Sequence, residues 1–356
     1  MQAVPFVLDA VVGRWSMADG HSDKLEQPVK TEIANAESRL PRSGTHAAHP
    51  VRGYVFIAAA ALCWGISASL GRAAFTGRLV TGQALPPIGP LILAQTRVTL
   101  ALLVLAPVLL ARRRTAGLKM SRADLLRALL IGVLGVAASN YFYYLAIQKT
   151  NVATAIILQY TAPVLVLLYM VARGVQKATA SRVFSVALAV VGSALAIGAV
   201  GTGQFRINPI GVAAGMVAAL SFAYYNIFIP PLLKRHDRWK VLLYILIGSV
   251  LCWLVINPPW RIIAGRYSRA QWAFLAVFSV TSALLPFSFY IAGLQYLDAT
   301  RAIVTSCLEP VFAILIAAMT LGELVRPVQV VGIVVVLTAT VLVQLSGKEA
   351  VVEPME

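Results

Sequence analysis

The residues that could do chemistry in this chain are few, and they stand where a side chain has least water to help it. Glu309 falls midway along an apolar run, 302–322, where a charged carboxylate costs several kcal/mol unless it is paired, hydrated or protonated. That makes Glu309 a candidate proton carrier, against the alternative of a neutral, hydrogen-bonded structural carboxyl beside a proline kink. Arg97, seven residues into the run 90–110, either snorkels to the outer surface or faces inward and attracts an anionic group. Asn140, Tyr143 and Tyr144 share one helix face by their spacing. Pro163 and Pro310 have no N–H to offer the carbonyls four residues earlier, at Gln159 and Ser306. Those segments are candidates for broken helices that turn polar backbone toward a cavity, the alternative being kinks that only shape packing. Gln159, Tyr160 and Ser306 therefore join Trp64, Asn140, Tyr143, Tyr144, Tyr224, Asn226 and Tyr290 as a candidate binding set, with aromatic walls and a few hydrogen-bonding groups.

The same inventory argues against several chemistries. Cys63, Cys252 and Cys307 each stand alone in an apolar run, and neither a CxxC nor a His pair supplies metal ligands, so no metal and no cofactor is expected. His236 is the one histidine beyond the first 50 residues and lies in a basic loop. A membrane enzyme acting on a lipid or isoprenoid, the alternative class, would have no histidine base to use. Without a glycine-rich loop ending in Lys-Ser or Lys-Thr, ATP-driven pumping has no signature either.

What must position these residues follows from composition. Apolar residues make up 59% of the 356 and charged residues 12%, with a mean hydropathy of +0.79, whereas a soluble domain carries about a quarter charged residues. The apolar residues come in blocks at 53–71, 90–110, 128–148, 152–172, 183–203, 209–231, 241–257, 270–293, 302–322 and 327–345. Each is long enough to cross a hydrocarbon core of roughly 30 Å as a helix. Helices are required because lipid offers a bare peptide group no partner, and the solid apolarity does not alternate as a barrel strand would. The expectation is an all-α polytopic membrane protein with ten transmembrane helices and membrane lipid around it.

A net charge of +16 suggests nucleic acid until its location is read. Arg112, Arg113, Arg114, Lys119, Arg122 and Arg127, then Arg173, Lys177 and Arg182, then Lys234, Arg235, Arg238 and Lys240, with Arg301, put fourteen basic residues on one side. Arg72, Arg78, Lys149, Arg206, Arg261, Arg266, Arg269 and Arg326 put eight on the other. By the positive-inside rule the richer side is cytoplasmic, and an even number of spans places both termini there, in what is expected to be a bacterial inner membrane. The charge is topogenic, and no nucleic-acid partner is expected. Residues 1–50 are polar and charged and read as a disordered cytoplasmic tail, with Met17 as an alternative start; 347–356 read as a second short tail.

An internal repeat organises the remainder. A shift of 147 residues superimposes Phe142 on Phe289, Tyr143 on Tyr290, Gln148 on Gln295, Ala155 on Ala302, Ile156 on Ile303, Pro163 on Pro310 and Val164 on Val311, seven identities in 23 positions. Gly53, Ala60, Ala61 and Leu62 correspond more loosely with Gly211, Ala218, Ala219 and Leu220. The repeats are assigned to 51–203 and 204–346. Five spans per repeat is odd, so the second copy enters the membrane inverted, an arrangement suited to alternating access about a midplane site.

Phe142-Tyr143-Tyr144-Leu145-Ala146 followed by Leu158-Gln159-Tyr160-Thr161-Ala162-Pro163-Val164 resembles the third and fourth helices of the EamA branch of the drug/metabolite transporter superfamily. Leu308-Glu309-Pro310-Val311, with Leu321-Gly322-Glu323 beyond it, resembles that branch's penultimate helix, and Trp64-Gly65 fits its first. The resemblance covers 53–345. It departs at Gly174-Val175-Gln176, where the branch often carries a second Gly-Glu, which puts a symmetric pair of glutamates in doubt. The resemblance implies an exporter or exchanger of small metabolites, often amino acids or their relatives, driven by an ion gradient rather than ATP; the buried Glu309 makes protons the candidate coupling ion.

Overall fold

The computed structural model describes residues 50–76, 86–113, 115–150, 152–197, 208–321 and 325–345, and among these no strand occurs. The tails, the alternative start at Met17, Arg78, Arg114, Arg206 and Gly322-Glu323 lie outside the described residues. The first repeat contains α1 (Pro50–Thr76), α2 (Pro90–Arg113), α3 (Arg122–Lys149), α4 (Val152–Gln159), α5 (Ala162–Ala172) and α6 (Ala180–Ala196). The second contains α7 (Pro209–Leu233), α8 (Arg238–Ile256), the short α9 (Pro259–Ala264), α10 (Arg269–Gly293), α11 (Ala299–Ser306), α12 (Glu309–Leu321) and α13 (Pro327–Leu345).

Against the ten expected crossings, nine segments among the described residues are long and apolar enough to span, with α4 and α5 together making one and α11 with α12 another. The remaining block is represented by α6, an apolar helix of 17 residues; its expected continuation to 203 leaves the described region. Leu103, Phe184, Val255 and Met319 stand exposed on the outside of the bundle, a surface that lipid, not water, accommodates.

Local sequence starts the helices where it should. Ser121, Thr179 and Asp298 each accept the backbone N–H three residues on, and Asn208 caps α7 ahead of Pro209. Ser268 and Gln271 form a reciprocal capping box at α10.

The repeat seen in sequence is also a repeat of irregularities. A π-helical segment, Ile131–Ala137, interrupts α3, and another, Val280–Leu284, interrupts α10, ending at the equivalent repeat position. Both proline helices break: Tyr160 and Thr161 separate α4 from α5, and Cys307 and Leu308 separate α11 from α12. Helix partners exchange in the same way. α1 packs on α10, α11 and α12 as α7 packs on α3, α4 and α5; α2 packs on α10 as α8 packs on α3. α6 packs on its own counterpart α13, and α2 on its counterpart α8. Each half thus completes its core with the other's first two helices.

Glycines permit the closest of these crossings. A Cβ on Gly132 would collide with the Ile245 carbonyl oxygen, and one on Gly332 with the Ala196 nitrogen.

The two ends of the bundle are held by unlike bonds. At one end Asp124, buried at the start of α3, meets His236 at 2.9 Å, Arg127 at 3.0 Å and Arg235 at 3.5 Å, while Asp298 lies 3.3 Å from Arg301 and 3.8 Å from Arg182. At the other end Gln95 and Asn257 exchange two buried hydrogen bonds, Nε2 to the Asn257 carbonyl at 2.7 Å and Nδ2 back to Oε1 at 2.6 Å. Gln271 there donates to the Pro86 carbonyl.

Candidate substrate-binding site

A cavity of about 140 Å³ lies between the repeats. Its wall is assembled where the irregularities fall. From α3 the face beyond the π segment supplies Ser139, Asn140, Tyr143 and Tyr144; from the break after α4 come Gln159 and Tyr160. The break after α11 supplies Ser306 and Glu309, and Trp64, Arg97, Phe222, Tyr225 and Phe287 enter from α1, α2, α7 and α10. Residues far apart in sequence and drawn from both repeats therefore converge on one space.

Among the described residues the wall has one cation, Arg97, and one carboxylate, Glu309. Arg97 faces the bundle interior, which settles its two readings against snorkelling: its Nη2 donates to Asn140 Oδ1 at 2.7 Å, and Asn140 Nδ2 in turn donates to the Val136 carbonyl at 2.7 Å. α2 is pinned at that point by Ser279 Oγ, which donates to the Arg97 carbonyl at 2.6 Å. Glu309 opens α12, with the Tyr160 hydroxyl and Arg97 in electrostatic range. Gln159 Nε2 donates to Ser139 Oγ, which donates to the Ala218 carbonyl, both at 3.3 Å.

Aromatic rings make up the apolar part. Trp64 meets Phe287 edge-on at 6.1 Å and Tyr290 at 5.4 Å, while Tyr225 lies 6.0 Å from both Phe287 and Tyr290. Tyr143 and Tyr144 stand 5.4 Å apart.

Of the sequence-derived set, Trp64, Asn140, Tyr143, Tyr144, Gln159, Tyr160, Ser306 and Glu309 border the cavity. Tyr290 and Asn226 sit behind the wall, fully buried and joined by a 2.5 Å bond from the Tyr290 hydroxyl to Asn226 Oδ1, supporting Trp64 rather than bordering the space. Tyr224 is placed elsewhere. It packs on Phe228 at 4.5 Å and lines a separate cavity beside Asp124, Arg127 and Arg235. Its neighbour Tyr225 takes the wall position, because one residue turns a helix by about 100°. Phe222, Tyr225, Phe287 and Ser139 were not singled out in the sequence. α7 is apolar on every side, so its inward face had no polar stripe to mark it. Among the described residues no cluster of His, Cys, Asp or Glu could hold a metal ion.

The EamA-like transporter family matches residues 51–198 and again residues 209–345. The chain belongs to this family. The two matched stretches of this EamA chain are the two copies of its internal repeat. Among curated relatives, an uncharacterized transporter of Archaeoglobus fulgidus is 27% identical over 215 residues, 59% of this chain and 75% of its own length. The uncharacterized inner membrane transporter YicL of Salmonella typhimurium is 22% identical, over 64% of this EamA chain and 76% of the relative. The uncharacterized transporter YcbK of Bacillus subtilis is 21% identical, over 59% and 69%. A protein of known crystal structure shares the fold with a TM-score of 0.65, covering 84% of this chain and 99% of its own at 17% identity.

Proposed function

We propose that this membrane transporter is a secondary-active carrier that exports or exchanges small amphiphilic metabolites, amino acids or their relatives, by alternating access between its two repeats. The observation that supports it best is the cavity itself: a polar and aromatic space closed by both halves at their broken helices, with a membrane-buried carboxyl, Glu309, in its wall. Glu309 is the proton carrier in this reading. A carboxyl that gains and loses a proton as the cavity turns from one side to the other couples solute movement to the proton gradient. The loops joined by Asp124 and by Asp298 carry the basic residues, which by the positive-inside rule makes that end, and both termini, cytoplasmic in a bacterial inner membrane.

Purified protein in proteoliposomes, given an imposed pH gradient and screened over amino acids, amines, organic acids and nucleosides, should move at least one solute in a gradient-dependent way. Glu309→Gln should keep exchange of bound solute while making transport indifferent to pH. Failure of every solute to move under any gradient overturns the carrier reading; unchanged pH dependence in Glu309→Gln returns Glu309 to a structural role.

A further inference from the structure

Two residues of the cavity wall hold a hydrogen-bond donor with nothing to donate to. Arg97 Nε and the Tyr225 hydroxyl are both buried and unpartnered, and both residues line the same space. Arg97 gives one N–H to Asn140, and among the described residues no carboxylate stands within ion-pairing distance of its guanidinium. A guanidinium keeps its charge at any physiological pH, and a charge left unpaired away from water is costly. Glu309, the wall's carboxyl, has the Tyr160 hydroxyl and Arg97 in electrostatic range. The neighbouring surface is aromatic, made by Trp64, Phe222 and Phe287, with Trp64 and Phe287 meeting edge-on.

We propose that the cavity recognises a small organic carboxylate with a flat, aromatic-like body, its anionic oxygens accepting from Arg97 and Tyr225 and its body lying among the rings. This names the substrate class of the carrier described above and rests on that reading.

Charge then links the anion to the proton. The titratable or charged groups facing Glu309 are Tyr160 at the α4–α5 break, Tyr143 on α3, Arg97 on α2 and Cys307 in its own break; from α6, Ser193 stands by Cys307, and from α1 the neighbour is the Trp64–Gly65 pair, none of which titrates. With Glu309 protonated the wall carries one net positive charge from Arg97; with it ionised the two cancel. An anion binds the protonated form more tightly, and by reciprocity the anion favours protonation.

The test uses the intact protein in detergent micelles and three probes of one shape: phenylacetate, 2-phenylethanol and phenethylamine. Calorimetric titration should find phenylacetate about tenfold tighter than 2-phenylethanol, the scale of one charge-assisted hydrogen bond, and phenethylamine weakest. Arg97→Gln should bring phenylacetate down to the alcohol, while Arg97→Lys, with the charge kept, should retain part of the preference. Phenylacetate should bind more tightly as pH falls, over a range where the probe stays ionised, and Glu309→Gln should flatten that slope. Wild-type binding of phenylacetate no tighter than of 2-phenylethanol overturns the proposal, as does a full preference surviving in folded Arg97→Gln. Because micelles need no transport, the two failures separate: solutes moving in proteoliposomes without a charge preference sink this inference alone, and an intact preference with no solute moving sinks the carrier reading alone.

Discussion

Asn226 and Tyr290 spend their polarity on each other so that the ring of Trp64 has something rigid to lie against. The Tyr290 hydroxyl donates to Asn226 Oδ1, and Asn226 Nδ2 donates to the Phe222 carbonyl at 2.8 Å, with no exposure at either residue. Asn226→Leu leaves a buried hydroxyl without its acceptor, and should cost about 1–3 kcal/mol of stability, read as a lowered melting temperature in detergent. Tyr290→Phe in that background should recover part of the loss, because it removes the orphaned group as well as its partner. At this scale the sequence was informative wherever a polar residue interrupted an apolar block or a proline fixed a break. It left Arg97 between two orientations and chose Tyr224 over Tyr225. Both depend on helix rotation, and neither α2 nor α7 has a polar face from which rotation can be read.

At the scale of elements, the crossings that carry the fold are those where glycine removes a side chain altogether. Gly132→Ala drives a methyl into the backbone of α8 and Gly332→Ala into that of α6, so each should destabilise by about 1–3 kcal/mol or prevent folding. Gly71→Ala is the control, since a Cβ there meets nothing within 4 Å. Comparing melting temperatures and yields of the three variants checks the assignment. The paired breaks make a different prediction. Replacing both Pro163 and Pro310 by Ala restores the missing N–H groups and lets the broken helices rejoin, which should raise thermal stability while lowering transport, because the ends of α4 and α11 would no longer deliver Gln159 and Ser306 to the cavity. The prolines announced the breaks in sequence. The π segments that accompany them had no such marker, since Ile131–Ala137 and Val280–Leu284 differ in residues and share only their place in the repeat.

For the whole molecule, the pairing of each helix with its counterpart's neighbours is what a five-plus-five repeat requires, and it was legible because seven identities survive between the copies. The spatial partnership of loops was not, since sequence orders loops by side but does not say which of them touch. Single cysteines at Arg173 and Arg235, in a background with the three native cysteines replaced by alanine, should react with an impermeant maleimide from the cytoplasmic face only, and one at Trp260 from the opposite face only. Labelling of the Arg173 and Arg235 positions from opposite faces would break the inverted arrangement. The two ends also differ in how they answer to their surroundings. Arg127 and Arg235 reach out to water while they hold Asp124, so dissolved ions compete for those bonds; the Gln95–Asn257 amides are neutral and buried. Potassium chloride added to the face bearing Asp124 should therefore change the turnover rate of oriented vesicles, and the same salt on the other face should not, making the transporter a one-sided reader of ionic strength.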